Sequence, residues 1–155
     1  MGARVIGVEV VAERLELAKQ VGADEVIDAV HSEVIEVVYD LTSGRGADIG
    51  LETSGSSVGR AQIVEAIGIQ GKAAYVGLGP EEKAIDPTPL IHGERMLLGS
   101  YVLPLSLYDE FAAFLVERDV RIDRMVTHRF PIEQGVQAFE LFDTKKTGKV
   151  VFEFD

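Results

Sequence analysis

The sequence contains no cysteine. Disulfides, iron–sulfur clusters and thiolate zinc sites built from these residues are therefore excluded. Histidine is scarce: His31, His92 and His128 stand far apart, with no His-x-x-x-His or Glu-x-x-His spacing. No metal site is expected within the chain. No apolar run approaches the roughly 20 residues that span a bilayer, and signal-peptide and low-complexity patterns are absent. Positive charge is in short supply. Fifteen Lys and Arg against 26 Asp and Glu leave a formal charge of −11. Such a surface repels nucleic-acid phosphates and anionic membranes, so neither is an expected partner, and a cytoplasmic location is expected. No acid/base pair or nucleophile elbow is present, and no catalytic residue is assigned. The stretch "GLGPEEK" at residues 77–83 lacks a third glycine, and its two glutamates oppose phosphate. It is not read as a pyrophosphate loop.

What is present is a soluble globular composition, 46% hydrophobic and 26% charged over 155 residues, enough for one domain with its own core. Short β-branched runs at Arg4–Val8, Glu25–Asp28, Asp48–Glu52, Lys72–Val76, Met96–Val102, Val126–Phe130 and Lys149–Phe154 predict strands. Helical spacing predicts helices over Ala12–Val21 with Gly22 as the stop, from a Ser32 cap to about Leu41, and over Val58–Ile69 ended by Gly71. Two more are predicted over Ser106–Glu117 and from Pro131, as first helical residue, to about Asp143. The polar stretch Glu81–Thr88 predicts a loop, and Leu90–His92 a short turn. Strands alternating with helices imply an α/β fold with a Rossmann-like, doubly wound, mostly parallel sheet in a single domain, residues 1–155.

In such a sheet ligands bind at the carboxyl ends of the strands. Those positions are Glu9, Thr53-Ser54-Gly55, Gly77-Leu78-Gly79 and Ser100-Tyr101-Val102. A carboxylate ending an apolar strand can hold a ribose diol and repel a 2′-phosphate, which favours NAD over NADP. Glu9 fits that role and equally fits a charged strand end reaching water. Arg14, a helical turn further on, either flanks the same ribose or is a solvated helix residue. The Thr53–Ser56 loop suits close backbone approach or a helix cap. Gly77 and Gly79 suit close approach or a plain turn. His128, with no partner base or nucleophile in view, reads as a polar strand-end residue.

The series of segments is itself informative. "GARVIGVEVVAERLELAKQVGADEVIDA" resembles the second strand, helix and third strand of the medium-chain alcohol dehydrogenase family. "LTSGRGADIGLETSGS" and "GIQGKAAYVGLG" resemble its fourth and fifth strands with their approaches. "MLLGSYV", "FAAFLVERD", "MVTHRFPIEQGVQAFELF" and "TGKVVF" resemble its sixth strand and carboxyl-terminal segments. The zinc-dependent alcohol, polyol and threonine dehydrogenases are the nearer flavour. The resemblance implies that Glu9 holds the adenosine ribose, with Arg14 beside it. It implies that Thr53 and Ser54 lie against the nicotinamide-side ribose. Backbone groups at Val76, Leu78, Ser100 and Val102 would hold the nicotinamide carboxamide, and Lys149 would reach the pyrophosphate.

The family's glycine-rich loop and first strand, central in its 3-2-1-4-5-6 sheet, have no counterpart in these residues. Neither does its catalytic domain with the zinc ligands, on which segments from about Met125 would normally pack. The resemblance therefore implies a truncated, NAD-dependent alcohol oxidoreductase domain, with weak or absent NAD binding and no turnover alone, and zinc confined to the missing domain. Three repairs of the opened sheet are conceivable: Arg4–Val8 pairing with Asp48–Glu52, Lys149–Phe154 entering the gap, or a strand from a second copy. A homodimer is expected, through the Met96–Val102 edge or by strand exchange. Two other readings of the same residues are a non-catalytic oligomerising module and an S-adenosylmethionine-dependent methyltransferase.

Overall fold

A computed structural model describes residues 2–79 and 85–154. Most of the "GLGPEEK" stretch, from residue 80, and the first part of the expected Glu81–Thr88 loop lie outside the described residues. The chain divides into two compact units, Met1–Ser32 with Ser106–Asp155, and Glu33–Leu105.

The first unit holds β1 (Ile6–Glu9), α1 (Ala12–Gln20), β2 (Glu25–Asp28), α5 (Tyr108–Glu117), β6 (Val126–Pro131), α6 (Gly135–Asp143) and β7 (Lys149–Glu153). β1 runs parallel to β2, in a register that sets Glu9 opposite Asp28. α1 connects them and buries Leu15, while Ile27 is buried on β2. α1 stops because Gly22, at φ +109°, takes a conformation that side-chain-bearing residues rarely adopt. β6 and β7 form a second parallel pair, and α6 between them buries Ala138.

The second unit holds α2 (Val34–Leu41), β3 (Ala47–Glu52), α3 (Ser57–Ala66), β4 (Ile67–Tyr75), α4 (Thr88–Gly93) and β5 (Met96–Gly99). Its sheet is parallel in the order β3-β4-β5. Val34, Val38, Val64, Ala66, Ile67 and Ala73 are its buried apolar residues. α3 lies so close to β3 that a Cβ on Gly50 would sit 2.6 Å from Ile63. The other face of β3 is exposed, with Ile49 and Leu51 about 70% and 68% accessible.

The α/β class and parallel strands match the expectation, and several local boundaries do not. Ser32 does not cap α2; the residue at that position is Glu33, without a side-chain cap bond, and buried Val34 opens the helix. α3 ends at Ala66, and the predicted helical residues Ile67–Ile69 are strand. Ile67 is fully buried in this strand, and Gly68 lets the chain pass close to the Arg45 carbonyl oxygen, which a Cβ would approach to 2.2 Å. Pro131 closes β6 in an extended conformation instead of opening a helix. A 3₁₀ turn, Ile132–Gln134, stands between it and α6. Leu105–Leu107 likewise form a 3₁₀ turn ahead of α5. In the first unit β1 pairs with β2, and β7 pairs with β6.

Candidate functional site

In the first unit the carboxyl end of β1 delivers Glu9 to the start of α1. One carboxylate oxygen of Glu9 accepts the backbone N–H of Val10 at 2.8 Å and of Val11 at 3.2 Å. A negative charge is favoured there because unpaired N–H groups gather at a helix start. The second oxygen lies 3.7 Å from the Arg14 guanidinium. Arg14 Nε also donates to the Thr147 carbonyl at 3.3 Å. Lys149, exposed, opens β7 two residues later. Glu9, Arg14 and the approach to Lys149 are thus brought together within one unit.

The neighbouring strand end adds two residues that sequence reading missed. Asp28 lies opposite Glu9 in the ladder, and His31 Nδ1 is 2.8 Å from its carboxylate. The bond from His31, followed by the one from the Val30 amide, holds the Asp28 carboxyl below its usual range. A polar pair following a strand end, with one helical turn's spacing, is the signal that could have found them.

In the second unit the organising residue is Glu52, only 5% accessible. Its carboxylate accepts from the backbone N–H of Ser54 at 2.9 Å, from that of Gly55 at 3.0 Å, and from the Ser54 hydroxyl. Its main-chain carbonyl accepts from Val76 and Gly77 at 2.8 and 3.0 Å. The loops after β3 and β4 are meshed. A Cβ on Gly77 would fall 2.2 Å from the Gly55 nitrogen, and one on Gly79 would fall 2.0 Å from the Gly55 oxygen. Gly77 and Gly79 therefore serve close backbone approach, here between the two loops. Arg60 donates to the Gly77 carbonyl at 3.0 Å, and the Tyr75 hydroxyl donates to the Arg60 carbonyl at 2.9 Å. Burial, and next the nearby Glu52 charge, raise the Tyr75 hydroxyl above its ordinary range.

The candidates of this unit sit along one rim. Thr53 and Ser54 follow β3, Val76 and Leu78 follow β4, and Ser100 follows β5, its N–H bonded to the Tyr75 carbonyl at 2.9 Å. The Ser54 hydroxyl is already engaged with Glu52 and accepts from the Ser56 amide at 3.1 Å. Ser56 also caps α3, its Oγ accepting from Gly59 N at 2.9 Å, so this loop serves both readings at once. Val102 has φ +47°, an uncommon conformation for a β-branched residue.

His128 bonds the Thr127 hydroxyl at 2.9 Å. Among the described residues no cluster of three or more His, Asp or Glu suits a metal ion. With thiolates absent too, the donor set does not fit zinc. Two open cavities of about 460 and 490 Å³ flank the amino ends of β3 and β4, away from the rim. Arg95, lining the first, already donates to Val64 O at 2.8 Å and to the Tyr39 hydroxyl at 3.3 Å.

The sequence profile of the zinc-binding dehydrogenases matches residues 1–117. The chain belongs to that family. An uncharacterised zinc-type alcohol dehydrogenase-like protein of Escherichia coli (strain K12), YphC, is 33% identical over 152 residues, covering 97% of this chain and 43% of that protein. An L-threonine 3-dehydrogenase of Anaeromyxobacter sp. (strain Fw109-5) is 31% identical over 157 residues, covering 99% of this chain and 45% of its own length. Among solved structures, an NAD-dependent alcohol dehydrogenase superposes with a TM-score of 0.81 at 25% identity, over 99% of this chain and 45% of that one. The chain thus spans under half the length of these dehydrogenases. Among the described residues no helix is long and apolar enough to cross a membrane.

Proposed function

We propose that this chain is the cofactor-binding part of an NAD-dependent oxidoreductase that, as a complete protein, moves hydride between an alcohol and nicotinamide. The observation that carries the reading is the state of Glu9. One of its oxygens is held by two backbone amides and the other, among the described residues, faces Arg14 at 3.7 Å. A ribose diol fits that second oxygen, and a 2′-phosphate would be repelled.

When bound, the nicotinamide supplies the hydride acceptor. This chain's residues hold and orient. Glu9 takes the adenosine ribose with Arg14 beside it, and Lys149 serves the pyrophosphate. Thr53 and Ser54 border the nicotinamide-side ribose. Backbone groups at Val76, Leu78, Ser100 and Val102 hold the carboxamide. The described residues supply no set of zinc ligands. The family's phosphate-binding glycine loop is not among these residues either, so NAD binding by them alone is weak and turnover is absent.

Titration calorimetry with NAD, NADP and S-adenosylmethionine tests the reading. NAD alone is expected to bind, and Glu9→Gln to weaken it about tenfold while relaxing discrimination against NADP. Equal affinity for NADP, or binding of S-adenosylmethionine instead, would overturn it.

One observation favours the second reading, an oligomerising module. Within its sheet β5 pairs with β4 on one side only, and Met96 and Leu98 on it are about half accessible. We infer a cytoplasmic homodimer formed through the Met96–Val102 edge or by strand exchange. Light scattering is expected to give twice the chain mass, with Leu98→Lys reducing it to one; a monomeric wild-type chain rejects the dimer.

A further inference from the structure

We propose that Arg14 is a positioning residue: it ties the turn at residues 144–148 to α1, so that Glu9 and Lys149 engage one ligand as a coupled pair. The inference rests on the cofactor reading above for the ligand's identity, and on the following geometry for the coupling.

Arg14 reaches two acceptors with different parts of its guanidinium, Glu9 through Nη1 at 3.7 Å and the Thr147 carbonyl through Nε at 3.3 Å. A planar fork presents donors on two nitrogens at a fixed spacing, whereas a lysine ammonium offers a single nitrogen. The turn it holds lies against the same helix at two further points. Lys146 Nζ lies 3.6 Å from Glu13, and a Cβ on Gly148 would sit 2.7 Å from Leu17. Residues 13, 14 and 17 share one side of α1, as positions three and four apart do. On its far side the turn is anchored by Gly148 N, which donates to the Thr127 hydroxyl at 3.0 Å. Thr147 is only 4% accessible, so the carbonyl that Arg14 holds belongs to a buried residue two before Lys149.

Charge gives the arrangement its use. Lys145, Lys146 and Lys149 gather in five residues of a chain whose formal charge is −11. A ligand with a ribose for Glu9 and a diphosphate for this turn matches the two ends of the clamp, which is the chemistry of a nucleoside diphosphate. The carboxylate would otherwise repel that diphosphate; Arg14 screens it while fixing the lysine's approach.

The test uses the full chain and two probes, ADP and adenosine, in titration calorimetry. Lys149→Ala is expected to lower the preference for ADP over adenosine about tenfold, the effect of one charge-assisted contact. Arg14→Lys is expected to lower the ADP preference, the ratio of the two affinities, as far as Lys149→Ala does. The double variant loses no more than Lys149→Ala alone. Additive losses, an Arg14→Lys variant equal to wild type, or a wild-type chain with no ADP preference would each overturn the coupling. A wild-type chain that binds neither probe fails the cofactor reading instead. Amide exchange then decides the clamp: Gly148 and Lys149 exchange about tenfold faster in Arg14→Lys with Val10 and Val11 unchanged, or the proposal falls.

Discussion

The carboxylate of Glu52 accepts the backbone amide of Gly55 at 3.0 Å. That bond, with those from Ser54, turns a strand end into a fixed rim. Glu52→Gln replaces one accepting oxygen with an N–H donor aimed at other donors. Hydrogen bonds to a charged, buried group are worth about 1.5–3 kcal/mol. A stability loss of about 2 kcal/mol is expected in urea unfolding, with an unchanged slope. A loss under about 0.5 kcal/mol would remove Glu52 from its organising role.

Val102 carries the opposite kind of energy. Its φ of +47° costs a β-branched residue about 1–2 kcal/mol, against the roughly 0.5–1 kcal/mol of chain entropy that glycine adds to the unfolded state. Val102→Gly should therefore raise stability by up to about 1 kcal/mol. A clear fall in the denaturation midpoint would show that the valine side chain contributes packing that outweighs its backbone strain.

Thr147 is buried, and among the described residues its hydroxyl has no partner. An unpaired buried hydroxyl costs about 1–3 kcal/mol. Thr147→Val keeps the shape and removes the group, so the melting temperature should hold or rise. A marked decrease would mean that the hydroxyl has found a bonding partner in solution.

The Asp28–His31 pair gives a pH signature. Asp28 is depressed below 3.8, first by the His31 bond and then by the Val30 amide. A depressed carboxyl stabilises the fold at all pH values above its unfolded pKa and loses that contribution as pH falls through the lower folded value. The effect is confined below about pH 4 and is small, because the pair is solvent-exposed. Carboxyl titration by NMR should place Asp28 below the unperturbed value, and His31→Ala should move it back up.

Much of the fold was legible because parallel strands between helices are written in short β-branched runs. Glu25–Asp28 coincides with β2, and Gly22 stops α1 as expected. The misreadings have physical causes. Ile67 continues the apolar spacing of α3, yet it is fully buried in β4, and Gly68 beside it passes the Arg45 carbonyl at a distance that leaves no room for a Cβ. Pro131 fits a helix start and a strand end equally by its φ of −66°; its ψ of 153° decides, and ψ is not encoded in the proline ring. Glu9 and Glu52 both end apolar strands, yet the first remains partly open and the second is buried. What separates them is the following residues. Thr-Ser-Gly after Glu52 can fold back small donors onto the carboxylate, whereas Val-Val after Glu9 leads directly into a helix. Arg14's second acceptor, 133 positions away at Thr147, lay beyond any local pattern.

The meshed glycines have a consequence for how such a sequence can drift. At residues 55, 77 and 79 even one methyl group would strike the backbone of the opposing loop. Beside them, the side chains of Thr53 and Leu78 are exposed. Mutational tolerance along the rim is thus partitioned residue by residue. Descendants of this chain can diversify at 53 and 78 without disturbing the scaffold, while none of the three glycines can gain a side chain unless the two loops move apart.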